Sequence, residues 1–156
     1  MRLARAADAE AIGELTTQLG YDVASSEVEE RLPHILSRPD HRFLVAESNG
    51  QPVGWLHAAI AEFIETEPFV MIAGLVVDRH HRRTGVGRIL MEQAEAWARQ
   101  QGCSIVRLWS SSTRTNAHSF YERLGYSKIK TQYSFAKPLE GERQARLDRF
   151  VPRVDE

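Results

Sequence analysis

A single cysteine, Cys103, stands in a chain of 156 residues. One thiol cannot close an internal disulfide, so packing must hold the fold, and the chain fits a reducing compartment such as the cytoplasm. Cys103 opens an apolar run and reads as a small buried residue, not a nucleophile. Long hydrophobic runs are missing as well. No apolar stretch approaches the ~20 residues of a membrane span, and Met1-Arg2-Leu3 leads at once into a mixed polar stretch, unlike a secretory leader. An excess of one charge is also lacking. The formal net charge is −1, which gives no overall field toward nucleic acid or a membrane surface. No metal is expected, because His80-His81-Arg82-Arg83 lacks the spacing of a zinc site. With 42% hydrophobic and 26% charged residues, the chain has the make-up of one ordinary globular domain.

What is present centres on positions 69–100. Phe69 to Val77 is apolar and rich in β-branched residues, as in a strand covered on both faces. From Val86 onward, Val86, Ile89, Leu90, Ala94, Trp97 and Ala98 recur at helical spacing. Between the two lies a basic turn with Gly85 and Gly87. Glycine lets a ligand approach the backbone, and the first helical turn offers free N–H groups and a positive dipole end. With Arg82, Arg83 and Arg88 around it, this turn suits an anion, above all a pyrophosphate. A dinucleotide fingerprint is excluded because Leu90 stands where its third glycine belongs, and a Walker loop lacks its Lys-Ser/Thr.

The segment Arg82-Arg83-Thr84-Gly85-Val86-Gly87 resembles the Arg/Gln-x-x-Gly-x-Gly/Ala signature of the GNAT superfamily of N-acetyltransferases. Leu75-Val76-Val77 looks like the end of that family's fourth strand. Downstream, Ala117-His118-Ser119-Phe120-Tyr121-Glu122-Arg123-Leu124-Gly125-Tyr126 is similar to its Ala-x-x-x-Tyr-x-x-x-Gly-Phe/Tyr segment. Order and separation agree, and the likeness runs over about positions 1–138. It implies an acetyltransferase domain over 1–138, with the charge-dense stretch 139–156 as a helical or disordered extension.

Pattern along the chain gives the elements. Met1 to Arg5 reads as a strand. Asp8 caps a helix through Ile12, Leu15 and Leu19 that Gly20 ends. Ser25 or Ser26 caps a second helix, with Glu29 completing a capping box and Pro33 kinking or splitting it. Arg42–Glu47 and Pro52–Ala61 read as strands joined by a type I′ turn at Asn49-Gly50. Glu62–Pro68 is an acidic connection. A central helix over 84–101, a strand over 104–109, a helix from Arg114 or Thr115 to Leu124 and a strand over 126–137 follow. The fold class is α/β: a mixed, mostly antiparallel central sheet with a splayed parallel strand pair and flanking helices, the acyl-CoA N-acyltransferase fold by resemblance.

The resemblance implies acetyl-CoA as co-substrate. Its pyrophosphate would lie on the amides and side chains of Arg82, Arg83, Thr84, Gly85, Val86, Gly87 and Arg88. Its pantetheine arm would pair with the edge of Leu75, Val76 and Val77 as an added strand. The Val77 N–H would polarise the acetyl carbonyl, with a bulge near Ala73-Gly74 splaying the strand; close packing explains Gly74 equally well. Tyr121 would donate to the leaving thiolate. A reference phenol has a pKa of about 10 against about 8.5 for a thiol, so full proton transfer is uphill by roughly 2 kcal/mol. A hydrogen bond to developing charge is then its main role, unless the site lowers its pKa. Where many relatives carry Asn this chain has Arg114, with Asn116 nearby; either suits pantetheine or a phosphate. The family's strand glutamate falls on Met71, which accepts no proton. Glu62 and Glu65, with Glu67 and His57 beside them, are the remaining candidates for the base that an ammonium acceptor requires.

The expected activity is transfer of acetyl to a primary amine of a small molecule (aminoglycoside-like, polyamine or amino acid) by direct attack in a ternary complex. A non-catalytic acyl-CoA sensor and a peptide N-terminal acetyltransferase are the alternatives. A homodimer through 126–137 or the charged tail stays open.

Overall fold

A computed structural model describes residues 1–140 and 143–153. The chain divides into two compact units, Met1–Leu108 with the residues from Pro152, and Trp109–Val151.

The first unit is built on five strands in the order β1 (Arg2–Leu3), β2 (His41–Ser48), β3 (Gln51–Phe63), β4 (Thr66–Val77) and β5 (Val106–Leu108). The first four pair antiparallel, and β4 with β5 is parallel. This is the mixed sheet that the sequence pattern predicts. Asn49 and Gly50 take φ of 51° and 77°, both positive as a type I′ turn requires, and lock the β2–β3 register. Two helices, α1 (Ala9–Gln18) and α2 (Ser25–Leu36), cover the face that carries Phe43, Val45, Trp55 and Val76, with Ile12, Leu15, Val28 and Leu32 closing the core. A third, α3 (Val86–Gln100), covers the opposite face. There Gly54 leaves room for Val86 and Leu90 and for the close approach of the Val76 carbonyl. Cys103 is buried, as its apolar surroundings imply. Among the described residues no helix is long and apolar enough to cross a membrane.

Local corrections have physical causes. The carboxylate of Asp8 does not cap α1. It turns back, accepting the Arg5 N–H at 2.7 Å and a two-pronged bond from Arg2 at 2.7 Å each. The α2 cap is Ala24, whose N–H donates to Glu27 at 3.2 Å; Ser25 and Ser26 lie inside the helix. Pro33 sits inside α2 without splitting it. The Glu62–Pro68 connection shrinks to Ile64 and Glu65, because Phe63 already pairs with Thr66.

In the second unit α4 (Thr115–Arg123) ends at Gly125, whose φ is 92°. The strand expected over 126–137 is absent. Those residues form no ladder, and Ile129, Tyr133 and Phe135 are exposed. Their alternation is only partial, with lysines and other polar residues between them, so one-sided burial does not fix a register. A short α5 (Arg143–Asp148) falls in the expected extension, whose residues 141, 142 and 154–156 lie outside the described ones. At the end of the chain, within the first unit, the Arg153 N–H donates to the Gly20 carbonyl at 2.7 Å.

Asp8 is 7% exposed, and its pairing with Arg2 holds it below the usual carboxylate range. Its stabilisation is therefore present above the unfolded carboxylate pKa and lost as pH falls through the depressed one. Asp8→Asn is expected to cost about 2 kcal/mol at neutral pH, read from the urea midpoint. The gap to the wild type should close in acid.

Candidate functional site: an open strand edge and a basic turn

The ladder of β4 determines what its edge offers. The Asp78 N–H donates to Val53 O at 2.8 Å. Alternation along an antiparallel pair then turns the amides of Val76 toward β3 and those of Leu75 and Val77 away from it. On that outer side β5 pairs only with Val70, Met71 and Ile72, and it ends at Leu108. The stretch of β4 beyond Ile72 is therefore a strand edge with outward N–H groups at Leu75 and Val77. The parting of the two strands is the expected splay.

A bulge sets this up. His57 pairs with Gly74 and Ala58 with Ile72, so Ala73 is the extra residue. Both readings of Gly74 hold together. The bulge lies next to it, and a Cβ there would stand 2.7 Å from two ring atoms of Trp55. That ring is 7% exposed and packs against Phe43 with centroids 5.3 Å apart.

After Val77 comes a short 3-10 turn over Arg79–His81, then the glycines. Arg83 and Gly85 take φ of 64° and 92°. A Cβ on Gly85 would meet nothing within 4 Å, so the position is open to a ligand and backbone conformation alone demands glycine. Thr84 donates its hydroxyl to His81 O, and Arg82 Nε donates to Val77 O at 3.2 Å, folding the turn onto the end of β4. The first helical bond of α3 runs from Ile89 N to Gly85 O, so the amides of Val86, Gly87 and Arg88 precede the ladder. Arg82, Arg83 and Arg88 are exposed around them.

His57, facing Gly74 across the β3–β4 pair, meets His41 of β2, Nε2 to Nδ1, at 2.8 Å. It stacks on Phe43 with centroids 5.2 Å apart. Burial, reinforced by His41 and Arg38, pushes its pKa down to about 4. Burial lowers His41 too. Both rings are thus neutral near pH 7, and the short contact is a hydrogen bond between imidazoles.

Glu62 and Glu65 are exposed at the opposite end of β4. The twelve residues of that strand separate Glu65 from Val77, roughly 40 Å at the usual rise. In the second unit, Tyr121 lies on α4 with its ring edge-on to Phe120 and Tyr126 at 5.1 and 6.0 Å. Burial raises its pKa, and Arg114 only partly offsets this; the lowering weighed from sequence is not found. Arg114 precedes the first turn of α4, Asn116 is exposed on that turn, and His118 bonds Ser111 O at 2.9 Å, a packing role.

The Acetyltransferase (GNAT) family model matches residues 9–126. The chain belongs to the GNAT acetyltransferase family. It is an N-acetyltransferase, with relatives of that name along most of its length. An aminoglycoside N(6')-acetyltransferase type 1 of Acinetobacter haemolyticus is 29% identical over 131 residues, covering 81% of this chain and 90% of that one. Among solved structures, an aminoglycoside 6'-N-acetyltransferase of the same species superposes with a TM-score of 0.78 at 25% identity, over 89% of this chain and 98% of the other. A glucosamine-6-phosphate N-acetyltransferase of Arabidopsis thaliana reaches 0.75, also at 25%, over 86% and 95%.

Within this GNAT enzyme the structure brings Leu75, Val77, Arg82, Gly85, Val86, Gly87 and Arg88 into one continuous turn and edge. Gln18, His41 and Asp78, which bond into this region, escaped the sequence reading. An acid opening a turn is a capping signal that could have flagged Asp78. The other two carry no local signal, being 60 and 16 residues from their partners.

The unfolded imidazole of His57 binds its proton near pH 6.5, the folded one only near 4. Stability should fall as pH drops through that window, where the unfolded chain binds more protons. His57→Gln should flatten the fall, leaving the smaller His41 share. Urea midpoints at half-unit steps measure both.

Proposed function

We propose that the enzyme moves an acetyl group from acetyl-CoA to a primary amine of a small cationic molecule, with an aminoglycoside the first acceptor to test. The observation that carries this reading is the outward pair of amides at Leu75 and Val77, continuous with a glycine turn ringed by arginines. An extended amide-bearing arm ending in a pyrophosphate fits it feature by feature. The aminoglycoside acceptor is supported by the N(6')-acetyltransferase relative. The glucosamine-6-phosphate relative is equally alike in fold, so acceptor identity lies outside this shared frame.

In the proposed step the amine nitrogen attacks the thioester carbonyl, whose oxygen is polarised by a β4 edge N–H, Val77 being our assignment. The C–N bond forms, the C–S bond breaks and the thiolate leaves with a hydrogen bond from Tyr121. A phenol whose pKa is raised donates without losing its proton, which suits stabilisation of charge better than acid catalysis. We assign the amine's proton to His57, in place of the distant Glu62 and Glu65. A neutral imidazole can take it once the attacking nitrogen has become acidic, and His41 stands next in line. The acids keep a role in attracting cations. Arg114 and Asn116 are assigned to coenzyme A, and the single cysteine supports the cytoplasm. Exposed Ile129, Tyr133 and Phe135 support the homodimer; a concentration-independent monomer in sedimentation would remove it.

A second reading, a non-catalytic acyl-CoA-binding subunit, draws on Met71 at the position of the family's glutamate. One assay separates the two: thiol release from acetyl-CoA against aminoglycosides, polyamines, amino acids and short peptides. Saturable release with an aminoglycoside is expected. Tight acetyl-CoA binding with no release across the panel would favour the binding subunit. Tyr121→Phe should lower kcat roughly a hundredfold while acetyl-CoA affinity stays within a few-fold; unchanged turnover would take Tyr121 out of the mechanism.

A further inference from the structure

Gln18 is the last residue of α1, and both ends of its side-chain amide bond the turn that follows β4. Nε2 donates to Asp78 Oδ2 at 2.9 Å, and Oε1 accepts the Arg79 N–H at 3.0 Å. Asp78 also accepts the His80 N–H at 2.9 Å and faces His81 Nδ1 at 3.1 Å. Its own N–H is bonded to Val53 O on β3 at 2.8 Å. The start of the basic turn is therefore fixed from α1, from β3 and from within. The bonds from Gln18 and His81 hold the Asp78 carboxyl well below the usual carboxylate range, so it remains a charged acceptor. Four residues on, Arg82 folds back onto Val77, and Gly85 opens the run of free amides. On its other side, Gln18 belongs to α1, which packs on the core face of the sheet.

We infer that Gln18 is a positioning residue for acetyl-CoA binding, whose two-ended bond to Asp78 and Arg79 sets the basic turn for pyrophosphate and ties it to the end of α1. This rests on reading the glycine turn as the acetyl-CoA pyrophosphate site. Amides already ordered need no ordering when the anion arrives, so releasing the latch shows up in affinity before it shows up in chemistry.

Calorimetry with acetyl-CoA on the full chain tests it. Gln18→Ala should weaken binding about tenfold, the worth of roughly one net hydrogen bond. The KM for acetyl-CoA should rise in step, while kcat and the melting temperature hardly move. Gln18→Glu supplies the readout that a merely structural residue would not give. It sets a second carboxyl against Asp78, and two carboxylates in contact cannot both ionise cheaply. Affinity should be near that of the wild type in mild acid, where the pair shares a proton, and should fall more than in the alanine variant at pH 8. His80 and His81 also face Asp78, and the wild-type pH profile corrects for their charge. Wild-type affinity in both variants at both pH values, with the wild type binding acetyl-CoA, would overturn the inference alone. A wild type that binds no acetyl-CoA would overturn the reading beneath it as well.

Discussion

The extra residue at Ala73 sets the terms for everything around it. A shift of one position in a strand exchanges its two faces. Before the bulge Ile72 sits opposite Ala58; after it Gly74 sits opposite His57 and Val76 opposite Trp55. That exchange delivers Val76 to the core under α1 and α2 and lays the Trp55 ring over Gly74. Continuing the strand past the end of β5 then leaves Leu75 and Val77 with amides directed outward. Core packing and the open edge are two results of one irregularity, so neither can be altered alone.

The turn beyond β4 shows a different kind of dependence. Its glycine motif supplies conformation, and its arginines supply charge, but its attachment comes from elsewhere. Asp78 is the residue where α1, β3 and the turn meet, its carboxylate bonding α1 and the turn and its main-chain N–H bonding β3. The pair formed by His41 and His57 is the matching polar contact on the α1 side of the sheet, placed between a ring stack and a strand pair. Each polar contact joins elements that hydrophobic burial alone would leave free to slide.

Much of this was legible in the sequence because it is local. Asn49-Gly50, Gly102 and Gly125 mark stops and turns that require positive φ, and each takes it. The helical spacing from Val86 to Ala98 appears as α3, with Leu90, Met91, Ala94, Trp97 and Ala98 buried. Polarity misleads in one stretch. The acidic run Glu62–Pro68 is mostly strand, since exposed residues of a hairpin arm can be acidic without becoming a loop. Alternation misleads at 126–137, where it is partial and finds no partner strand. The pairings of Gln18 with Asp78 and of His41 with His57 leave no such mark, because each joins residues far apart in the chain.

The lengths of the strands carry a last consequence. The sheet has its long members inside, eight, thirteen and twelve residues in β2, β3 and β4, and ends in strands of two and three residues in β1 and β5. An exposed strand invites another chain to add to it in proportion to its unpaired length. Among the described residues the rim strands are short, and the stretch of β4 beyond Ile72 offers its open edge beside the basic turn. The geometry that suits an extended amide ligand is therefore also one where a second chain would find unpaired amides, and a bound ligand would shield them.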